Sequence, residues 1–194
     1  MAEDGRPLRA DARRNRDHLL RVAAGAFAAD GLSVSLDEIA RRAGLGPGTL
    51  YRHFPTKEAL FEAVVHERLR SLLDDARARA ASPDPAEALF GFTGRLLAEA
   101  GAKQDLTDAL TSAGVDVAAS VRTTANAVRE AIGVLLRRAQ QAGAVRQDFA
   151  LPDLMALISG LMMAQRAPAD RRGDTARMLA VLFDGMRASS VTPD

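Results

Sequence analysis

The stretch that decides the fold is SLDEIARRAGLGPGTLYRHF, Ser35 to Phe54. It opens with a capping box. The Ser35 side chain can accept from the backbone N–H of Glu38, and the Glu38 side chain can reach back. Behind it, Leu36, Ile39, Ala40 and Ala43 recur at helical spacing and face inward, while Arg41 and Arg42 face outward. Gly44 ends this short helix. After Leu45, Gly46-Pro47-Gly48 makes a turn, and Pro47 also suits a helix start. A second helix of barely two turns runs from Gly48 to about His53, and Phe54-Pro55-Thr56 breaks the chain again. With a helix before them, two short helices joined by a tight turn form a helix-turn-helix. The second helix of such a pair enters the major groove, and its N-terminal residues reach base edges.

The charges of this stretch agree. From Ile39 to Lys57 there is no acid, but there are Arg41, Arg42, Arg52, His53 and Lys57. The net charge of the whole chain is only +1, so any basic footprint is local. Small residues at the start of the second helix let the backbone approach a duplex. Its uncapped N–H groups and the helix dipole favour phosphate there. Tyr51, Arg52, His53 and Lys57 supply phosphate or base contacts around it. Taken singly, each has an ordinary structural use as well: Tyr51 can pack between helices, and Arg41 and Arg42 can form a solvated face. The constellation is more specific than its parts.

Outward from the motif, the 194 residues are 47% hydrophobic but only 4% aromatic, with no Trp and no Cys. Much of the apolar content is alanine, which favours helix over sheet. The lack of cysteine excludes a disulfide scaffold, a thiolate metal site and a Cys nucleophile. The N-terminus, MAEDGRPLRADARRNR, has no apolar core like that of a signal peptide. The longest apolar run, about Leu154 to Ala164, is broken by Ser159 and Gly160 and is too short to span a bilayer. A cytoplasmic protein without membrane contact is expected.

Residues 1–12, polar and with Gly5 and Pro7, read as a flexible arm. Helical periodicity begins at Arg13 and carries Leu19, Leu20, Ala23, Ala24, Phe27 and Ala28. Gly31 suits a left-handed C-cap. A long helix opens at Pro55 or Thr56 and runs to about Ala81, with Leu60, Phe61, Val64, Val65, Leu69 and Leu72 on its buried side. Further helices are predicted over 85–102, 105–114, 117–142, 152–167 and 174–188. Asp84-Pro85, Asp105, Asp116, Pro152 and Asp174 mark their starts. The fold class is all-α, with about nine helices. A DNA-binding domain over 13–71, with its helix-turn-helix at 35–54, precedes a regulatory and dimerisation domain over 82–190.

SLDEIARRAGLGPGTLYRHFPTKEALFEAV closely resembles the N-terminal domain of the TetR family of bacterial transcriptional regulators. Ala24, Phe27, Gly31, Ile39, Ala40, Gly44, Leu50, Tyr51, Phe54, Lys57, Leu60 and Phe61 fall where that family has those residue types. The C-terminal part, with LLRRAQQAGAVRQDFALPDLMALISGL, looks like the SbtR-like regulatory half of one branch. The resemblance implies a homodimer on a palindromic double-stranded DNA operator, usually a repressor released by a small-molecule effector. It places Pro47, Gly48, Thr49 and Tyr51 toward the bases or the adjacent sugar-phosphate, and Ser35, His53 and Lys57 on phosphates. Arg52 and Arg42 are additional contacts, and Leu50 and Phe54 are core. Because Pro47 and Gly48 carry no side-chain donors, base reading by this helix is sparse. Arg52, the arginines Arg9, Arg13 and Arg14, or DNA shape then carry more of the specificity.

The last two helices have continuous apolar faces: Leu154, Leu157, Ile158, Leu161 and Met162 on one, and Met178, Leu179, Leu182, Phe183 and Met186 on the other. Some of this surface is expected to meet a second copy. The resemblance implies the same, as a four-helix bundle across a two-fold axis. Mid-helix Gly160 suggests a close helix crossing. An effector pocket is expected among the middle helices, near Leu69, Leu89, Phe90, Phe92, Leu96, Leu110, Val128 and Leu135, with Thr107, Thr111, Arg122 and Asn126 as polar candidates; the effector itself is not legible. A regulator that responds to no ligand, and whose C-terminal half only dimerises or meets a protein partner, fits the sequence too. An enzyme finds little support. Glu62 and His66 have metal-ligand spacing on one helix, but no second such pair exists among three histidines, and no phosphate loop follows a strand. No catalytic residue, metal or cofactor is expected.

Overall fold

The computed structural model describes residues 6–101, 119–165, 167 and 173–188. Among these the architecture is all-α. Eight helices follow in chain order: α1 (Arg6–Asp30), α2 (Leu36–Arg42), α3 (Pro47–His53), α4 (Lys57–Arg79), α5 (Pro85–Gly101), α6 (Ala119–Gln141), α7 (Leu151–Gln165) and α8 (Thr175–Met186). The only β pairing among the described residues is an isolated antiparallel bridge between Val145 and Arg187. The helix expected over 105–114, with its start at Asp105, lies outside the described residues, as does Asp116.

One boundary differs. α1 starts at Arg6, seven positions before the expected Arg13, so residues 6–12 are helical rather than part of an arm. Pro7 does not oppose this, because it sits in the first turn, where its missing N–H has no intrahelical partner to lose.

Five of the other starts carry side-chain caps. Ser35 Oγ accepts the Glu38 N–H at 3.2 Å, and Thr56 Oγ1 accepts the Ala59 N–H at 3.1 Å. Asp84 accepts from Glu87 at 3.0 Å ahead of Pro85, and Asp174 accepts from Ala176 at 2.9 Å. At α7 the Asp153 carboxylate reaches back to the Ala150 N–H at 2.9 Å. Each such bond satisfies a donor that the first helical turn leaves unpaired.

The chain divides into two compact units, with breaks inside α4 between Leu69 and Arg70 and inside α6 between Arg122 and Thr123. In the first unit, α1 buries Leu19, Leu20, Ala23, Ala26 and Phe27 against Leu36, Ile39 and Ala40 of α2, Leu50 of α3, and Leu60, Phe61 and Val64 of α4. Phe27 and Phe61 meet edge to face at 5.5 Å. α2 closes in a Schellman motif: Gly44 takes φ +67°, its N–H donates to Arg41 O, and the Leu45 N–H donates to Ala40 O. This turn delivers the chain to the start of α3.

In the second unit, α5 packs on α7, and α7 on α8. Leu89, Phe92 and Leu97 of α5, Ile132, Leu135 and Leu136 of α6, Leu154 and Ile158 of α7, and Met186 of α8 are all buried. Thr93 is buried too, its hydroxyl donating to Leu89 O at 2.9 Å. The Arg138 guanidinium donates to Ser82 O at 3.0 Å and so ties α6 to the turn before α5. On the flank of α4 and α5, Asp75 pairs with Arg79 at 2.9 Å and with Arg95 at 3.1 Å, while Arg95 also holds Glu99 and the Ser71 hydroxyl. The Val145–Arg187 bridge ties the chain after α8 to the segment that follows α6.

Candidate nucleic-acid interface

α3 is built to show most of its surface. Its N-cap, Gly46, makes no side-chain cap bond, and Pro47 is its first residue. Leu50 and Phe54 are buried, whereas Gly48, Thr49, Tyr51, Arg52 and His53 are exposed. Two apolar contacts therefore fix the helix to α1, α2 and α4, and everything between them points outward. The Arg16 guanidinium covers the Phe54 ring at 6.0 Å and closes this anchor from α1. Of the other residues expected at the groove, Ser35 is exposed at the start of α2 and Lys57 half-buried at the start of α4. Ser35 uses its oxygen on the Glu38 N–H, which leaves its hydroxyl proton for an outside acceptor.

Three acids also reach this surface, which the acid-free run from Ile39 to Lys57 conceals. Glu38 does not complete the capping box: its carboxylate takes Arg41 in a two-bond pair at 2.7 Å and Arg42 at 2.7 Å. Asp30 holds the other side of Arg42 at 2.6 Å. A phosphate at Arg42 would have to compete with two carboxylates. The i,i+3 and i,i+4 spacing of Glu38 to Arg41 and Arg42 is the sign of this in the sequence. Hydrogen bonds from Arg41 and then Arg42 hold the Glu38 carboxyl down at about 2. The third acid, Asp37, is exposed on α2. The Tyr51 phenol is raised above its ordinary value, first by desolvation and then by the Asp37 charge and hydrogen bond.

A second exposed surface lies on α7 and α8. Leu157, Met163 and Val181 are 45%, 66% and 68% exposed. A groove of about 590 Å³ runs beside them, lined by Phe149, Leu157, Leu161, Met178, Val181 and Leu182 among others. The residues expected to face a second copy divide between the core and the surface of the single chain. Leu154, Ile158, Leu182 and Met186 are buried in the chain's own core, and Phe183 stacks on Phe90 at 4.6 Å. Leu161, Met162, Met178 and Leu179 are half-buried, and only Leu157 of the ten is exposed. These helices are apolar on more than one face, so periodicity does not say which stripe turns inward, and it does not single out Val181 or Met163. Among the described residues of the single chain nothing crosses at Gly160, where a Cβ would meet no atom within 4 Å.

Of the expected effector-pocket residues, Leu89, Phe90, Phe92, Val128 and Leu135 are core, and Thr107, Leu110 and Thr111 lie outside the described residues. A smaller hollow of about 230 Å³ sits between α4 and α6, lined by Leu73, Arg77, Ala127, Glu130 and Val134 among others. Among the described residues no three His, Cys, Asp or Glu side chains cluster as metal ligands, and no helix is long and apolar enough to cross a membrane.

A helical chain with an anchored, outward-facing second helix in a helix-turn-helix is a DNA-binding transcriptional regulator by fold and site. Residues 19–64 match the bacterial regulatory proteins of the tetR family, and residues 84–188 match the C-terminal domain of SbtR-like transcriptional regulators. The chain belongs to the TetR family. It is 43% identical to a TetR transcription regulatory protein from Mycobacterium vanbaalenii, whose crystal structure matches 93% of this chain and 99% of that one with a TM-score of 0.77. A TetR transcriptional regulator from Streptomyces coelicolor is 35% identical over 90% of this chain and 99% of its own, with a TM-score of 0.75. The HTH-type transcriptional regulator UidR of Escherichia coli is 28% identical over 152 residues, 73% of this chain and 74% of UidR.

Proposed function

We propose that the protein is a homodimeric repressor that holds a palindromic operator through α3 and the helix starts beside it, and is released by a small-molecule effector bound in its C-terminal unit. The observation that carries the DNA half is the division of α3. Leu50 and Phe54 are sunk in the core, and the short polar and basic side chains between them face outward from a helix start that no side chain covers. In this reading Gly48, Thr49 and Tyr51 meet the bases or the nearby backbone, Arg52 adds a base or phosphate contact, and Ser35, His53 and Lys57 hold phosphates. The protein is not an enzyme.

The exposed Leu157, Met163 and Val181, with the groove beside them and the open backbone at Gly160, support dimerisation through α7 and α8. A second copy would set the two α3 helices about 34–36 Å apart, one turn of DNA. The effector comes to this reading from the family. The hollow between α4 and α6 is smaller than the usual ligand pocket, roughly 300–1,000 Å³, so an effector there would have to open it.

The test is selection of bound sequences from randomised duplex DNA at two salt concentrations. A palindrome with half-sites one turn apart, and affinity that falls steeply with salt, is the expected result. No enrichment of any sequence would sink the proposal. A thermal-shift screen of metabolites then addresses the effector, since a ligand of the native state raises its stability by mass action.

A further inference from the structure

We propose that Glu38 and Asp30 set how strongly this surface holds DNA of any sequence: their carboxylates occupy the guanidiniums of Arg41 and Arg42 and so withdraw two phosphate contacts from α2. This rests on the reading of α2 and α3 as a helix-turn-helix on DNA.

The clamp is explicit in its distances. Glu38 Oε2 accepts Arg41 Nε–H at 2.7 Å, and Glu38 Oε1 accepts both Arg41 Nη2–H and Arg42 Nε–H at 2.7 Å. Arg42 Nη1–H donates to Asp30 Oδ2 at 2.6 Å. Glu38 stands one turn before the two arginines on α2, and Asp30 is the last residue of α1. Phe27 of α1 and Ile39 and Ala40 of α2 share one buried cluster, which holds the two ends of the clamp together. All four side chains stay open to water, that of Arg41 at 73%.

The first helix of a helix-turn-helix crosses the DNA backbone. Exposed arginines there are suited to phosphate, because a guanidinium presents two parallel N–H groups to it. In Arg41 that edge, Nε and Nη2, already faces a carboxylate. In Arg42 an N–H is taken by each of two acids. An exposed ion pair is weak by itself. Here one carboxylate serves two cations and one cation is held from two helices, so freeing either arginine breaks two hydrogen bonds. A phosphate that took an arginine would also leave a carboxylate unpaired beside the strand, and like charges repel. Backbone contacts carry no sequence information, so the clamp acts on the strength of binding and leaves the reading of bases to α3.

The experiment measures affinity against salt for the parent, Glu38→Gln, Asp30→Asn and the double variant, each checked for native helicity. Two duplexes are used, the sequence that the parent selects and a scrambled one. The Ser35 cap on the Glu38 backbone N–H is untouched by both substitutions. The double variant should bind both duplexes more tightly by a similar factor, and its log affinity should fall more steeply with log salt by roughly one to two, the worth of one or two freed arginines. Its selected motif should match that of the parent. In an Arg41→Gln, Arg42→Gln background the same acid substitutions should add nothing to the slope. An unchanged slope or a changed motif in the double variant overturns the inference and leaves the repressor reading standing. So does a gain that persists without the arginines, which is relief of repulsion alone. A second measurement uses the parent acids: replacing both arginines there should lower the slope by less than one, and a fall of about two overturns the inference, because the arginines would already hold phosphates. A parent that enriches no sequence and binds no duplex overturns both readings.

Discussion

Glu38 shows what one residue does to this surface. It joins Arg41 and Arg42, of which a sequence reading expects Arg42 at DNA, and that pairing carries a pH signature. Its carboxyl lies at about 2 in the folded chain, against an ordinary value of 4.5. Between those values the unfolded chain binds more protons, so the stabilisation is present above about pH 4.5 and lost as pH falls toward 2. Urea midpoints of the parent and Glu38→Gln should differ above pH 4.5 and converge below it; a gap that does not change with pH would refute the assignment. Leu50 acts in the opposite direction, as a buried pin in an exposed helix. Leu50→Ala should lower unfolding free energy by about 2–5 kcal/mol, the cost of emptying a core site. Denaturant titration reads it directly.

At the scale of elements, the α2–α3 turn decides where the reading surface stands. Gly44 at φ +67° allows the Schellman closure that ends α2 and swings the chain toward α3. A Cβ there would meet no neighbouring atom, so the cost of Gly44→Ala is conformational alone, about 1–2 kcal/mol. A melting curve for Gly44→Ala that matched the parent would contradict the left-handed assignment. The caps are equally local: Ser35, Thr56, Asp84 and Asp174 each accept an N–H of the helix they precede. These bonds join residues two or three positions apart, which is why the helix starts are legible in the sequence. The start of α1 is not, because Gly5 and Pro7 mark a turn and an N-terminal helix start equally well.

For the whole molecule, the exposed apolar face of α7 and α8 sets the oligomeric state in the proposed reading. Val181→Asp places a charge at the most exposed large apolar residue described, without touching the core. The parent should sediment as a dimer and the variant as a monomer of unchanged helicity, with operator affinity falling because one reading head is lost from each complex. A parent that is monomeric at micromolar concentration would remove the dimer from the proposal.

The sequence by itself determined the all-α class, the helix-turn-helix and its anchors Leu50 and Phe54, and nearly every helix start. Apolar spacing along a helix, glycine at a left-handed turn and a side chain capping its own helix are short-range effects written in neighbouring residues. What only the tertiary structure decided were the relations between segments far apart in the chain. Asp30 reaches Arg42 across twelve positions, and Arg138 reaches Ser82 across fifty-six. Leu154, Ile158, Leu182 and Met186 turn inward while Leu157 and Val181 stay out. On an amphipathic helix with one apolar stripe, periodicity names the buried face. On helices apolar on several sides it does not, and only the packing of one element on another chooses which residues leave water.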